Sequence, residues 1–282
     1  MPRPARARAG RTPDGRMTLA EHLTELRHRV IVSVAAVLVT TIVAYIFHAH
    51  IMHFVTHPYC SLPVRYRLVK NRCTLVVGGV LDPFTVTLKV ALYAGVLAAS
   101  PIWLYQIWRF VTPGLYTHEK RWATGFVASS VLLFAMGAAF AYLTLHKGLR
   151  FLLGFATGGL TPLLNFNSYL SFVVAMILIF AVSFELPLLV VMLNLVGIVS
   201  AQRLRHHWRA VIFGIFVFAA VATPSQDPFT MSALAVPMCL LYGVAAGIAT
   251  AHDRRVARRP STMYPDLSDD ELAPIDDEPA VP

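Results

Sequence analysis

Long apolar runs separated by short polar segments dominate the chain. Near Val30–Phe47, Phe84–Trp108, Trp122–Leu145, Ser168–Leu195, Ala210–Ala222 and Phe229–Thr250 apolar residues predominate and charged ones are nearly absent. A hydrocarbon core of about 30 Å takes about 20 helical residues, and a spanning segment must satisfy its own backbone. The pattern therefore predicts an all-α polytopic membrane protein with six transmembrane helices. The fifth and sixth are expected to be short. Ala210–Ala222 is 13 residues, or about 20 Å at 1.5 Å per residue. The sixth carries Pro237, which removes a backbone donor and favours a bend. Two short neighbours would thin the bilayer locally; tilt and an interfacial Trp208 are the alternative.

Composition agrees with this reading. Hydrophobic residues make up 56% of the chain and charged ones 14%, against about 25% charged in soluble domains. The net charge of +9 does not point to nucleic acid, because the basic residues flank apolar runs and form no basic aromatic face. With the N-terminus inside, seventeen Lys and Arg fall in cytoplasmic segments and six in outer ones, with Lys89 near the outer end of the second span. That asymmetry places both termini in the cytoplasm.

Residues 1–16 form an Arg-rich extension with Pro and Gly but no cleavable apolar region, which makes Met17 a candidate start. Residues 17–250 form the six-span domain. Residues 251–282 begin with HDRRVARRP and end in acids among prolines, the composition of a disordered tail whose basic start suits anionic headgroups.

Few acids lie outside the flexible ends. Glu25, in EHLTELRHR, stands on a different helical face from His22, Leu23, Leu26 and Val30, a set expected to lie along the membrane surface. An i,i+4 pair with Arg29 would suffice to explain it. Glu119 sits beside His118, Lys120 and Arg121 in a cytoplasmic loop, where a loop salt bridge is the ordinary reading. Glu185 is different, because FAVSFELPLLVVML puts one carboxyl inside an apolar helix, where it demands a polar partner. That partner is either another protein's span or a hydroxyl of a neighbouring span. Asp227 lies on the outer side, with no role assigned.

HLTELRHR (22–29), DPF (82–84), PIWLYQIWRFVTPGLYTHEKR (101–121), SYLSF (168–172), SFELP (183–187) and ATPSQD (222–227) together resemble the TatC family in wording, order and spacing. The resemblance implies a signal-peptide receptor and core subunit of the twin-arginine translocase. Such a subunit recognises consecutive arginines and works with the single-span TatA and TatB to export folded proteins on the proton-motive force. It implies a multi-pass protein of the bacterial plasma membrane, a homo-oligomer within a larger complex, bound to lipid, without cofactor, enzymatic activity or nucleic acid. No Walker loop is present. By motif position, Glu25 and Glu119 would receive the signal's arginines, with Arg27, Phe84, Lys120 and Arg121 in support, and Glu185 would meet a partner helix. The carboxylate choice is chemically apt, since guanidinium pairs bidentately with carboxylate. The competing reading is a secondary transporter or proton channel using Glu185 as its proton site. Neither an inverted repeat nor a second deep acid accompanies it.

The outer segment HAHIMHFVTHPYC holds His48, His50, His53, His57 and Cys60, and Cys73 follows. His53 and His57 with two thiols imitate a zinc set, but no metal is expected. An outer location favours a Cys60–Cys73 disulfide, with two free thiols as the alternative.

Overall fold

The computed structural model describes residues 19–63, 75–111, 120–155, 164–225 and 227–257. These are almost entirely helical, with one isolated parallel bridge between Val76 and Asn165. The helices are α1 (Leu19–Ile46), α2 (His48–Cys60), α3 (Asp82–Ala98), α4 (Ser100–Val111), α5 (Lys120–Gly154), α6 (Phe166–Ser183), α7 (Leu186–Leu195), α8 (Ala201–His206), α9 (Trp208–Ala222) and α10 (Pro228–Ala257). Four of the expected spans correspond to single helices, α1, α5, α9 and α10, whereas Phe84–Trp108 is divided between α3 and α4 and Ser168–Leu195 between α6 and α7. Among the described residues four helices are long and apolar enough to cross a membrane, and a fifth crossing arises if the bent α3–α4 pair is one span.

Prolines set the breaks. Pro101 has no N–H to donate and its ring crowds the carbonyl of Leu97. Accordingly α3 and α4 meet at 52°, and the Trp103 indole donates to the Val96 carbonyl at 3.0 Å beside the break. Pro187 acts in the same way on the carbonyl of Ser183, separating α6 from α7 at Phe184 and Glu185. In α2, Pro58 leaves the Phe54 carbonyl without its i+4 donor. The Tyr142 hydroxyl of α5 donates to that carbonyl at 3.0 Å, tying α2 to the bundle.

Pro237 behaves differently. α10 runs unbroken through it for 30 residues, so the sixth segment is not short. Its first turn is capped by Asp227, whose Oδ1 accepts from the Thr230 amide at 2.8 Å, with Pro228 at the first helical position where its missing donor costs nothing. Its last turns continue past Thr250 because Asp253 is anchored. Asp253 accepts from Asn194 Nδ2 and from the Ala201 amide at the start of α8, at 2.9 and 2.8 Å. The fifth segment, α9, is short as expected, at 15 residues. α7 ends in a left-handed Gly197 (φ 83°), with the Ile198 amide donating to Leu193 O, the Schellman arrangement.

The helices α1 and α3–α4 run antiparallel, with Thr41 against Gly95 and His22 stacked on Phe110. α5 and α6 form a second antiparallel pair, where Gly137 lets the backbone of Phe180 and Ala181 approach closely. The main core joins the pieces, with Tyr59, Leu145, Tyr169, Met176, Phe180, Leu234 and Met238 buried together. At one end of the bundle lie the start of α1 and the end of α4. At the other lie α2, the start of α3, the end of α5 and the start of α10.

Candidate functional site

Glu25 lies in the second turn of α1, half-buried. Arg29, one turn on, donates through Nη2 to Glu25 Oε1. Its Nη1 reaches Gln106 Oε1 of α4 at 3.5 Å. Arg29 is only 8% exposed, so the guanidinium is a wedge between α1 and α4 that Glu25 covers from the surface. His22 shares this side of α1, stacking on Phe110 at 4.4 Å between ring centres. Leu23, Leu26 and Val30 instead point outward. The expected grouping of His22 with those residues is therefore corrected: α1 is continuous from Leu19, and His22 turns to Phe110 of α4 while Leu23, Leu26 and Val30 form the outward face.

Glu119 lies outside the described residues. Lys120 and Arg121 open α5, and Arg27 is exposed on α1. Phe84 does not join this group. It sits in the first turn of α3, at the opposite end of the antiparallel α1/α3–α4 pair from Glu25, and its ring is exposed.

Glu185 occupies the break between α6 and α7. Ser130 of α5 donates to its Oε2 at 2.8 Å, and Trp108 of α4 donates through Nε1 to Ser130 Oγ at 2.7 Å. The other carboxyl oxygen, Oε1, is buried without a hydrogen-bond partner among the described residues. The intrasubunit hydroxyl considered as one alternative for Glu185 is thus present, but it satisfies one oxygen of two. Sequence reasoning left Ser130, Trp108 and Gln106 unassigned. The signal was there for Ser130, a hydroxyl in an apolar run at the depth of the lone carboxyl.

One stretch of α4 serves both places. Gln106 and Phe110, at i,i+4, face α1, while Leu104 and Trp108 face α5 and pack with Phe134, Ala181, Leu188 and Met192. The Glu25 and Glu185 neighbourhoods are consequently held by opposite sides of the same short helix.

Asp227 is an anchor. Besides the Thr230 amide, it accepts from the hydroxyls of Ser225 and Thr230, both at 2.5 Å. Burial pushes its carboxyl up, but the hydrogen bonds from Ser225 and Thr230 outweigh it and hold the group below its ordinary range. Cys60 is disulfide-bonded and Cys239 is a free thiol; Cys73 lies outside the described residues. No cluster of metal-ligating side chains occurs among the described residues.

The family described as Sec-independent protein translocase protein (TatC) matches residues 21–237. A protein of that name from Frankia casuarinae is 54% identical over 95% of this chain and 76% of its own length. One from Aquifex aeolicus is 34% identical over 81% of this chain and 93% of its own length. A crystal structure of the twin-arginine translocase receptor TatC superposes with a TM-score of 0.68 at 33% identity, covering 83% of this chain and 100% of that one. With the motifs, the helix order and these likenesses in agreement, the chain belongs to the TatC family of Sec-independent protein translocase proteins.

Proposed function

We propose that this chain is the signal-peptide receptor and core subunit of a twin-arginine translocase in the bacterial plasma membrane, with both termini cytoplasmic. Glu25 and Glu119 receive the consecutive arginines of the signal, with Arg27, Lys120 and Arg121 beside them. Phe84, exposed at the opposite end of the α1/α3–α4 pair, takes no part in this contact. The observation that carries the reading is the half-buried Glu25 carboxylate, held on a rigid helix by a guanidinium and therefore already in the geometry that an incoming arginine fork uses.

Two partly exposed ion pairs supply about 2 kcal/mol, whereas micromolar binding needs about 8. The apolar part of the signal must contribute the rest. The outward face of α1, with Leu23, Val30, Val34 and Leu38 exposed, begins beside Glu25 and offers such a surface. Glu185 meets a polar side chain of a single-span TatA or TatB partner, a role supported by its unpartnered Oε1. Copies of the subunit assemble with these partners, and the proton-motive force drives export without chemistry on the cargo.

A Cys60–Cys73 disulfide closes the outer loop. Its support is that Cys60 is bridged while Cys239 is free. A loop of about 14 residues gains about 3 kcal/mol of ordering from such a bridge. Alkylation of both Cys60 and Cys73 in unreduced protein would refute it.

The reading is tested by titrating the full-length protein with a twin-arginine signal peptide and its twin-lysine counterpart. Weaker binding of the lysine peptide, and loss of that preference in a Glu25→Gln, Glu119→Gln variant, are expected. Equal binding of both peptides by the unaltered protein overturns the assignment.

A further inference from the structure

The far end of α5 carries cations that the signal-binding reading does not use. Lys147 and Arg150 are exposed on neighbouring turns and, with His146, line one side of an open cleft of about 600 Å³. The other side is aromatic. Phe151 packs edge-on to Phe155 at 5.2 Å and stacks on Phe229 of α10 at 6.5 Å. Gly154 leaves the floor open, since a Cβ there would meet nothing within 4 Å.

We infer that this cleft holds an anionic phospholipid of the adjacent leaflet, its phosphate between Lys147 and Arg150 and an acyl chain over Phe151, Phe155 and Phe229. Position comes first. The apolar stretch Thr124–Gly154 is 31 residues, about 46 Å of helix against a hydrocarbon core of about 30 Å. Its last turns therefore stand at headgroup level, where basic and aromatic side chains share an interface.

Charge comes second. Among the described residues neither Lys147 nor Arg150 makes an ion pair. His146 directs Nδ1 to the Pro58 carbonyl and the Ser61 hydroxyl at the end of α2. Asp227, the acid nearest in sequence to Phe229, directs its oxygens to Ser225 and Thr230. Two uncompensated cations over an apolar floor match a phosphate attached to hydrocarbon, and they disfavour a headgroup that carries its own ammonium.

The cleft is also built. α5 and α10 touch at Gly148, where a Cβ would come within 2.9 Å of Thr230 Cγ2, and the Asp227 cap fixes the turn that presents Phe229. This inference needs the membrane-spanning fold but not the signal-peptide assignment.

The test is native mass spectrometry of the full-length protein in detergent, titrated with dioleoylphosphatidylglycerol or dioleoylphosphatidylcholine. One phosphatidylglycerol should be retained in preference to phosphatidylcholine. Retention should fall on the order of tenfold in Lys147→Gln, Arg150→Gln and stay unchanged in Arg203→Gln, Arg205→Gln at the opposite end. Gly154→Leu, which fills the cleft and leaves the charges, should also weaken it and decides the question if the double variant does not fold. The inference is overturned by equal retention of the two lipids, or by an unchanged affinity in the cleft variants. Displacement by inorganic phosphate at the lipid's own concentration would make the ligand a free anion. Comparable binding of polyglutamate would make it an acidic polypeptide.

Discussion

Trp108 and Glu185, on different helices, meet on a single hydroxyl: Ser130 accepts from the indole at 2.7 Å and donates to the carboxyl at 2.8 Å. The helices α4 and α5 and the break between α6 and α7 are joined by this chain of bonds. Ser130→Ala would remove the donor to a carboxyl oxygen and one acceptor of the Trp108 indole, at a cost of about 1–3 kcal/mol for a buried group left unsatisfied. A lowered melting temperature in detergent is expected. Ser130→Ala combined with Glu185→Leu should cost less than the sum of the two, because the second change removes a group the first left unsatisfied. Additive losses would show that the three groups do not act as one unit.

Glu25 has two jobs that an alanine cannot separate. Removing the carboxylate also leaves the buried Arg29 with Gln106 as its remaining side-chain partner among the described residues. Glu25→Ala is therefore expected to lower the melting temperature as well as signal binding. Glu25→Gln keeps an acceptor for Arg29 and removes the charge. It should retain most of the stability while weakening twin-arginine peptide binding by about fivefold, the equivalent of about 1 kcal/mol at the upper end for a partly exposed ion pair. Parallel isothermal titration and thermal melts of the two variants check this.

Close approach of α1 and α3 depends on Gly95. An added Cβ would lie 2.7 Å from the Thr41 backbone, which is backbone and cannot swing aside, and Thr40 Oγ1 bonds the Gly95 carbonyl at 2.8 Å. Gly95→Ala should destabilise by about 1–3 kcal/mol, the ordinary cost of overpacking. Gly243→Ala, where nothing lies within 4 Å, should be neutral or stabilising by up to about 1 kcal/mol through helix propensity. Equal melting temperatures for the two variants would contradict the tight crossing.

The apolar segments were legible because apolar length is a local property, but the breaks at Pro101 and Pro187 were not read: each lay inside an expected continuous span that the structure divides in two. Pro237, expected to bend its helix, does not break it, since a capped first turn and the Asp253 anchor hold α10 on both sides of it. Those anchors are long-range: Asp253 meets Asn194 and Ala201, and no spacing along the chain announces it. Glu185 was conspicuous as a lone carboxyl, but its partner Ser130 is 55 positions away and looks like any hydroxyl in a span. The face of α1 was misread for a similar reason. His22 was grouped with its apolar neighbours, whereas the ring that orders it, Phe110, comes from α4.

Asp227 gives the fold an acid-sensitive joint. Its carboxylate is the cap of α10, and hydrogen bonds from Ser225 and Thr230 keep its folded-state affinity for protons below that of an unfolded aspartate, whose ordinary pKa is about 3.9. A group of this kind contributes stability that is complete above the unfolded value and lost as pH falls through the folded one. Protonation turns an acceptor of three bonds into a competitor for them. The melting temperature of the solubilised protein should therefore decline as pH drops below about 4, and Asp227→Asn should lower it at pH 7 while flattening that decline. Asparagine remains a competent helix cap, so the helix survives while the charge-assisted part of the stability and its pH dependence are lost. Phe229 and Thr230 ride on the same turn against α5, and Asp227→Ala, which loses the cap, should cost about 1–2 kcal/mol. An acid limb as steep in Asp227→Asn as in the unaltered protein would place the titrating group elsewhere.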